Sequence, residues 1–228
     1  MLKELVEIIF PKFCLGCGAF GKYLCEKCRN LVERRESTFC SECGRASISG
    51  VTHARCFKTA SPDGLVCLFE YKDPLRTLLH QLKYKFSREV AVDLETLLEK
   101  VSLKPTFRDF TLVPVPLNAQ RENWRGFNQT ELLGEQITRH FDLEFETKAL
   151  ARSSFTRPQV ELKLAERENN LRGNFMVVDK DKVAGRKILV FDDVWTTGAT
   201  LREAAVTLKR AGAQKVWALA FATSHRIH

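Results

Sequence analysis

The sequence predicts an α/β protein with a mostly parallel sheet, preceded by a small cysteine-rich module. Three observations carry this expectation. Seven of the eight cysteines crowd between Cys14 and Cys56, and only Cys67 lies beyond them. From residue 61 onward, short apolar runs alternate with helical periodicity, the pattern of parallel strands joined by crossover helices. The C-terminal stretch spells out a complete strand–helix–strand unit. A chain of 228 residues is long enough for one medium domain and a small appendage, and the expected division is 1–60 and 61–228.

Composition narrows the class. Lys plus Arg is 36 against 28 for Asp plus Glu, a formal charge of +8, with 44% hydrophobic and 28% charged residues. That balance belongs to a folded soluble chain and excludes a disordered one. The basic excess fits a polyanionic ligand, either phosphate esters or nucleic acid. No run of about eighteen apolar residues occurs, and the apolar stretch from Leu5 to Phe10 is broken by Glu7. Neither membrane insertion nor a secretory leader is expected, and the expected location is cytoplasmic.

The front module consists of four pairs, each with two residues inside: Cys14/Cys17, Cys25/Cys28, Cys40/Cys43 and His53/Cys56. Such a pair forms a tight knuckle whose backbone N–H groups face the sulfurs. Two knuckles supply the four tetrahedral ligands Zn²⁺ prefers, and a neutral imidazole substitutes for one thiolate. Structural zinc is therefore the expected metal; spacing leaves open one ion or two, and sequential or interleaved pairing. The competing disulfide framework needs an oxidising compartment that nothing here implies, and four redox pairs in series would be redundant. A closed four-ligand site gives folding energy and a presentation surface, not catalysis. Lys12, Lys22, Lys27, Arg29, Arg34, Arg35, Arg45, Arg55 and Lys58 are interleaved with Phe13, Phe20, Tyr23, Phe39 and Phe57. That mixture suits unpaired nucleic-acid bases, and equally suits solvated charge around a small core.

In the body we read a strand at 65–71 containing Cys67 as a buried residue. A helix at about 74–85 opened by Pro74 follows, then a helix near 88–100 and a strand at 111–115. A helix at about 128–140 carries Leu132, Leu133 and Ile137 on one face, and short strands are expected near 144–147 and 175–178. Arg186–Asp193 reads as a buried strand, Ala199–Ala211 as a helix with Leu201, Ala204, Ala205 and Leu208 inward, and Val216–Ala222 as a strand. Pro105 marks a loop. The absence of G-x-x-x-x-G-K-[ST] and G-x-G-x-x-G motifs argues against common nucleotide hydrolases and dinucleotide oxidoreductases.

The most informative stretch is Val190–Thr200, VFDDVWTTGAT. Two adjacent carboxylates at the carboxyl end of an apolar strand are costly unless they have a task. Asp192 and Asp193 suit the vicinal hydroxyls of a ribose. Thr196, Thr197, Gly198, Ala199 and Thr200 add consecutive amides, hydroxyls and the positive end of a helix, which suit a phosphate monoester. A plain helix cap explains one threonine, not three with two aspartates.

This stretch resembles the 5-phosphoribosyl 1-pyrophosphate (PRPP) loop of type I phosphoribosyltransferases. Together with Val113-Pro-Val-Pro-Leu117, Arg121, Arg125-Gly-Phe-Asn-Gln129, Thr156-x-x-Gln159, Arg167-x-x-Asn170 and the four ligand pairs, the chain resembles the ComF/GntX family over nearly its whole length. His53 stands where that pattern has Cys, and Ser154 where an Arg is expected. The resemblance implies a sheet of the type I phosphoribosyltransferase kind behind a double zinc ribbon. It places the ribose on Asp192 and Asp193, and the 5-phosphate on Thr196, Thr197, Gly198, Ala199 and Thr200. Pyrophosphate falls beside Val115, Pro116 and Leu117, with Arg121 and Arg125 neutralising it, and Mg²⁺ accompanies PRPP. The implied role is natural transformation, with single-stranded DNA and competence-machinery proteins as partners. A salvage phosphoribosyltransferase and a PRPP sensor without turnover are the rival readings. No strong general base is evident; His80 and His140 are the candidates, and each falls on a helix face.

Overall fold

The computed structural model describes residues 11–35, 38–58, 61–83, 87–101, 103, 107–117, 124–152 and 174–226. Five strands form one all-parallel sheet, whose spatial order is β1 (Gly64–Glu70), β7 (Lys215–Thr223), β6 (Lys187–Trp195), β2 (Thr111–Pro114) and β3 (Glu144–Phe145). The central strands are continuous apolar runs, as burial on both faces demands. The helices are α1 (Glu26–Leu31), α2 (Leu75–Gln81), α3 (Ser87–Glu95), α4 (Gln129–Phe141) and α5 (Ala199–Arg210). A separate antiparallel ribbon pairs β4 (Leu150–Arg152) with β5 (Phe175–Val177). The expected strand at 175–178 is thus present, but outside the main sheet. The expected helix at 88–100 stops at Glu95, where Thr96 Oγ1 donates to the Asp93 carbonyl at 2.7 Å, and a 3₁₀ turn follows at Leu98–Lys100.

Alternation along the strands divides the core into two layers. Leu112, Leu189, Phe191, Leu219 and Phe221 face α2, α3 and α4. Val113, Ile188, Val190, Val216, Ala218 and Ala220 face α5, whose Leu201, Ala204, Ala205 and Leu208 form the expected inner stripe. The cysteine-rich segment straddles this sheet at its β1 edge. Arg35 N–H donates to the Leu68 carbonyl at 2.9 Å, and Glu70 N–H to the Glu33 carbonyl at 3.0 Å, so residues 33–35 cover the open edge of β1. Before this crossing, Cys14, Leu24, Cys28 and Val32 join the first layer; after it, Phe39 joins the second.

The order β1-β7-β6-β2-β3 also fixes where a ligand crevice forms. From β2 the chain proceeds through α4 outward to β3, and from β6 through α5 in the opposite direction to β7. The two helices lie on opposite faces, so β6 and β2 flank a topological switch point, which opens at their carboxyl ends.

Candidate functional site

Asp192 and Asp193 are the sixth and seventh of the nine residues of β6, with Val194 and Trp195 completing the strand. β2 pairs with β6 only as far as Phe191, so the acid pair lies just past the end of that pairing. Phe191 and Val194, three residues apart, both pack into the first core layer; the strict alternation therefore breaks across the acid pair. Both carboxylates are half-buried. Burial, and after it the negative charge of Asp193, pushes the Asp192 carboxyl well above the ordinary carboxylate range; the Asp193 N–H, which donates to Asp192 Oδ1 at 2.9 Å, opposes this.

Asp192 and the following turn, Val194–Leu201, line a pocket of about 30 Å³, room for roughly two water-sized spheres. Gly198 adopts φ +76°, and a Cβ there would meet the buried Trp195 indole at 2.1 Å. Glycine is demanded twice, by the backbone and by the ring. Among the described residues, the amides of Thr196, Thr197, Gly198 and Thr200 have no backbone acceptor, and Ala199 N–H reaches only Thr197 Oγ1, at 3.4 Å.

The loop after β2 faces this turn across the switch point. Val115 N–H donates to the Phe191 carbonyl at 2.8 Å, so the loop is pinned one residue before the acid pair. Asn128 caps α4 by accepting from Thr130 N–H at 3.0 Å, and its Nδ2 donates to the Val115 carbonyl at 3.2 Å. Arg125 Nη1 donates to Gln129 Oε1 at 2.8 Å, while its buried Nε has no hydrogen-bond partner. Arg121, Ser154, the Thr156–Gln159 and Arg167–Asn170 positions, and Pro105 lie outside the described residues.

Three residues here are not among the expected site residues. Arg152 Nε donates to the Pro116 carbonyl at 3.1 Å, its guanidinium stacks 5.2 Å from the Phe175 ring centroid, and its charge acts on Asp192. It arrives on β4, a three-residue strand too short to show a period. Tyr71, just past β1, has its hydroxyl pushed up by burial and by Asp193. Asn128 was within a quoted motif; the signal for it was an Asn directly before a helical run. His80 is exposed on α2. His140 lies at the far end of α4, beside a cavity of about 530 Å³ lined by Phe107, Arg108 and Asp142 at the starts of β2 and β3. This larger cavity lies at the amino ends of β2 and β3, away from the acid pair toward the carboxyl end of β6.

The cysteine pairs group in sequence and do not interleave. The ligand atoms of Cys14, Cys17, Cys25 and Cys28 lie within 4.8 Å of one another, as do those of Cys40, Cys43, His53 and Cys56. The knuckles have the expected chemistry: Cys25 N–H points at Cys14 Sγ and His53 N–H at Cys40 Sγ, each at 3.5 Å. Burial raises Cys14, but the amides of Cys25, Gly16 and Cys17 outweigh it and bring the thiol down to about 6; Cys40 is lowered in the same way. His53 Nε2 donates to the Ala46 carbonyl at 3.0 Å, which leaves Nδ1, 3.5 Å from Cys43 Sγ, as the ligating nitrogen. Four thiolates in the first quartet, and three with one imidazole in the second, fit structural Zn²⁺. Cys67 stays apart, buried in β1, and burial pushes its thiol up to about 12.

A parallel α/β sheet with an acid pair and an amide-rich turn at its switch point, joined to two four-donor quartets, defines an α/β protein carrying a double zinc ribbon. Residues 5–61 match the family model of the double zinc ribbon domain. The chain is 35% identical over 215 residues to the DNA utilization protein YhgH of Escherichia coli K12, covering 90% of this chain and 92% of that one. It is 30% identical to competence protein F of Haemophilus influenzae, over 86% and 90% of the two chains. It belongs to their family, the ComF/GntX family. Among solved structures it is similar to the glutamine PRPP amidotransferase of B. subtilis complexed with ADP and GMP, at 19% identity and a TM-score of 0.42, over 62% of this chain and 30% of that one. Among the described residues no helix is long and apolar enough to cross a membrane.

Proposed function

We propose that this chain binds PRPP or a related phosphoribosyl ligand with Mg²⁺ at the β6/β2 switch point, and serves natural transformation by handling incoming single-stranded DNA. One observation carries the ligand reading: carboxylates for a diol and, among the described residues, amides without a backbone acceptor for a phosphate occupy adjacent positions at the β6/β2 switch point. Asp192 and Asp193 hold the ribose hydroxyls, and Thr196, Thr197, Gly198, Ala199 and Thr200 wrap the 5-phosphate. Val115, Pro116, Leu117, Arg121 and Arg125 take the pyrophosphate, and Arg152, hydrogen-bonded to the Pro116 carbonyl, is suited to join them. The orphaned Nε of Arg125 is a donor suited to it. Two like charges side by side, one of them raised, fit a site completed by a divalent cation, and Mg²⁺ when bound neutralises the pyrophosphate. In this reading residues 1–60 are the ribbon module and 61–228 the ligand domain, and buried side chains of both share each core layer.

The DNA role rests on the names of the relatives and on the exposed aromatics of the first ribbon. Phe13 is 51% exposed and Phe20 72%, paired edge-to-face at 6.0 Å beside Lys12 and Lys22. Phe39, one of the aromatics that suit either bases or a small core, is buried at 2% and belongs to the core. Arg35 is ion-paired with Glu70, so Lys12, Lys22 and Arg34 are the better phosphate contacts.

Thermal melting tests the ligand reading. PRPP with Mg²⁺ at a hundred times its Kd stabilises by about 2.7 kcal/mol, roughly 5–10 °C for a chain of this size. The double variant Asp192→Ala/Asp193→Ala is expected to show none of that gain. An unshifted wild type, or an equal shift in the variant, defeats the proposal; pyrophosphate release on adding nucleobases would promote the salvage reading.

A further inference from the structure

We propose that Arg202 is a positioning residue that fastens the phosphate turn to the second metal quartet, so that zinc occupancy there and anion binding at the turn reinforce each other. The inference rests on the phosphoribosyl reading of that turn.

Arg202 leaves the first helical turn of α5 and makes two charge-assisted hydrogen bonds. Nη2 donates to the Thr197 carbonyl at 2.6 Å, and Nη1 to the Ser41 carbonyl at 2.7 Å. Thr197 belongs to the turn; Ser41 lies inside the Cys40–Cys43 knuckle. The same guanidinium lies 5.6 Å from the centroid of the Trp195 ring that sits beneath Gly198. A second route runs parallel to the first. Trp195 meets Phe39 edge-on at 6.1 Å, Phe39 packs on His225 at 4.4 Å, and His225 Nε2 donates to the Gly44 carbonyl at 2.8 Å. A Cβ on Gly44 would strike that imidazole at 2.7 Å, so the fit is tight at both ends of the knuckle.

A carbonyl inside a metal knuckle holds its place only while the flanking sulfurs are held. Loss of zinc from this quartet frees the Ser41 carbonyl, leaves half of the Arg202 fork unmatched, and slackens its hold on Thr197. The first quartet has different neighbours. Its cysteines pack with α2 and α3 on the other face, where Leu24 N–H donates to Asp93 Oδ2 at 3.0 Å. Coupling is therefore specific to the second quartet. Linkage makes it reciprocal: bound anion tightens zinc there by the same factor that zinc tightens the anion.

The test uses the full zinc-loaded protein, with PRPP plus Mg²⁺ as one probe and inorganic phosphate as the other. Zinc affinity of each quartet is measured by chelator competition, with Cys17→Ser and Cys43→Ser assigning the two sites. Ligand is expected to raise the affinity of the second quartet about fivefold or more, leave the first unchanged, and lose that effect in Arg202→Lys and Arg202→Gln. Both variants should keep two zinc ions and the wild-type circular dichroism while binding ligand about tenfold more weakly. Wild-type affinity in both variants, or equal tightening of both quartets, overturns the coupling. If wild type binds neither probe, the phosphoribosyl reading itself fails, and tryptophan emission decides the link. It must shift on zinc loss from the second quartet and not from the first; no such difference overturns it.

Discussion

The two ribbons share the two-residue spacing within each ligand pair and differ in what they face. The first exposes Phe13 and Phe20 and packs its buried cysteines on the side of α2 and α3. The second buries its aromatic, Phe39, against Trp195, and lends a backbone carbonyl to Arg202. Spacing therefore specifies the metal chemistry, while the tertiary neighbour specifies the role: one ribbon presents a surface, the other supports a turn.

The largest effect that would break this comparison comes from the metals. Structural zinc contributes about 10–16 kcal/mol in isolated finger peptides, so Cys14→Ser and Cys40→Ser should each lower the melting temperature by roughly 10 °C or more. At a temperature where both stay folded, only Cys40→Ser should weaken ligand binding. Equal loss from both would reduce the ribbons to interchangeable staples.

A smaller effect sharpens the outward role of the first ribbon. Phe13→Ala/Phe20→Ala should cost about 1–3 kcal/mol per stacked base in single-stranded DNA affinity, with melting temperature and ligand binding unchanged. A filter-binding titration across salt concentrations measures it, and an unaltered affinity removes the first ribbon from the DNA path.

The smallest concerns the strand end that the second ribbon supports. The folded pKa of Asp192 is raised, so the folded state holds its proton more tightly than the unfolded chain does. Its contribution to stability is complete below the unfolded value near 3.8 and is lost as pH rises through the folded value. Asp192→Asn should then stabilise the ligand-free protein at neutral pH by about 1 kcal/mol, or roughly 2–4 °C, with the gain fading in acid. A pH series of melting curves checks this; a destabilised variant at neutral pH would show that the carboxylate is structural.

Sequence reading reached furthest where local pattern and tertiary need agree. β6, α5 and β7 were legible because a continuous apolar run, a 3–4 spaced stripe and a second apolar run admit one arrangement. The acid pair and the turn were legible because their residue types conflict with a plain strand end and helix cap. Arg152 and β4 were not, although β5 was expected at 175–178: a three-residue strand carries no period, and the reach of Arg152 to Pro116 depends on where the β4/β5 ribbon lies. The role of Phe39 stayed open between base stacking and a small core, because an aromatic in a short basic module looks the same whether it awaits a base or a tryptophan far along the chain. The pairing of the ligands was undecidable from spacing and needed the fold.

A crystal structure of the zinc-loaded protein soaked with Mg²⁺ and PRPP tests the central claim most directly. The account predicts the 5-phosphate in the Thr196–Thr200 turn and the ribose hydroxyls on Asp192 and Asp193. Ligand density elsewhere, with that turn empty, would contradict it.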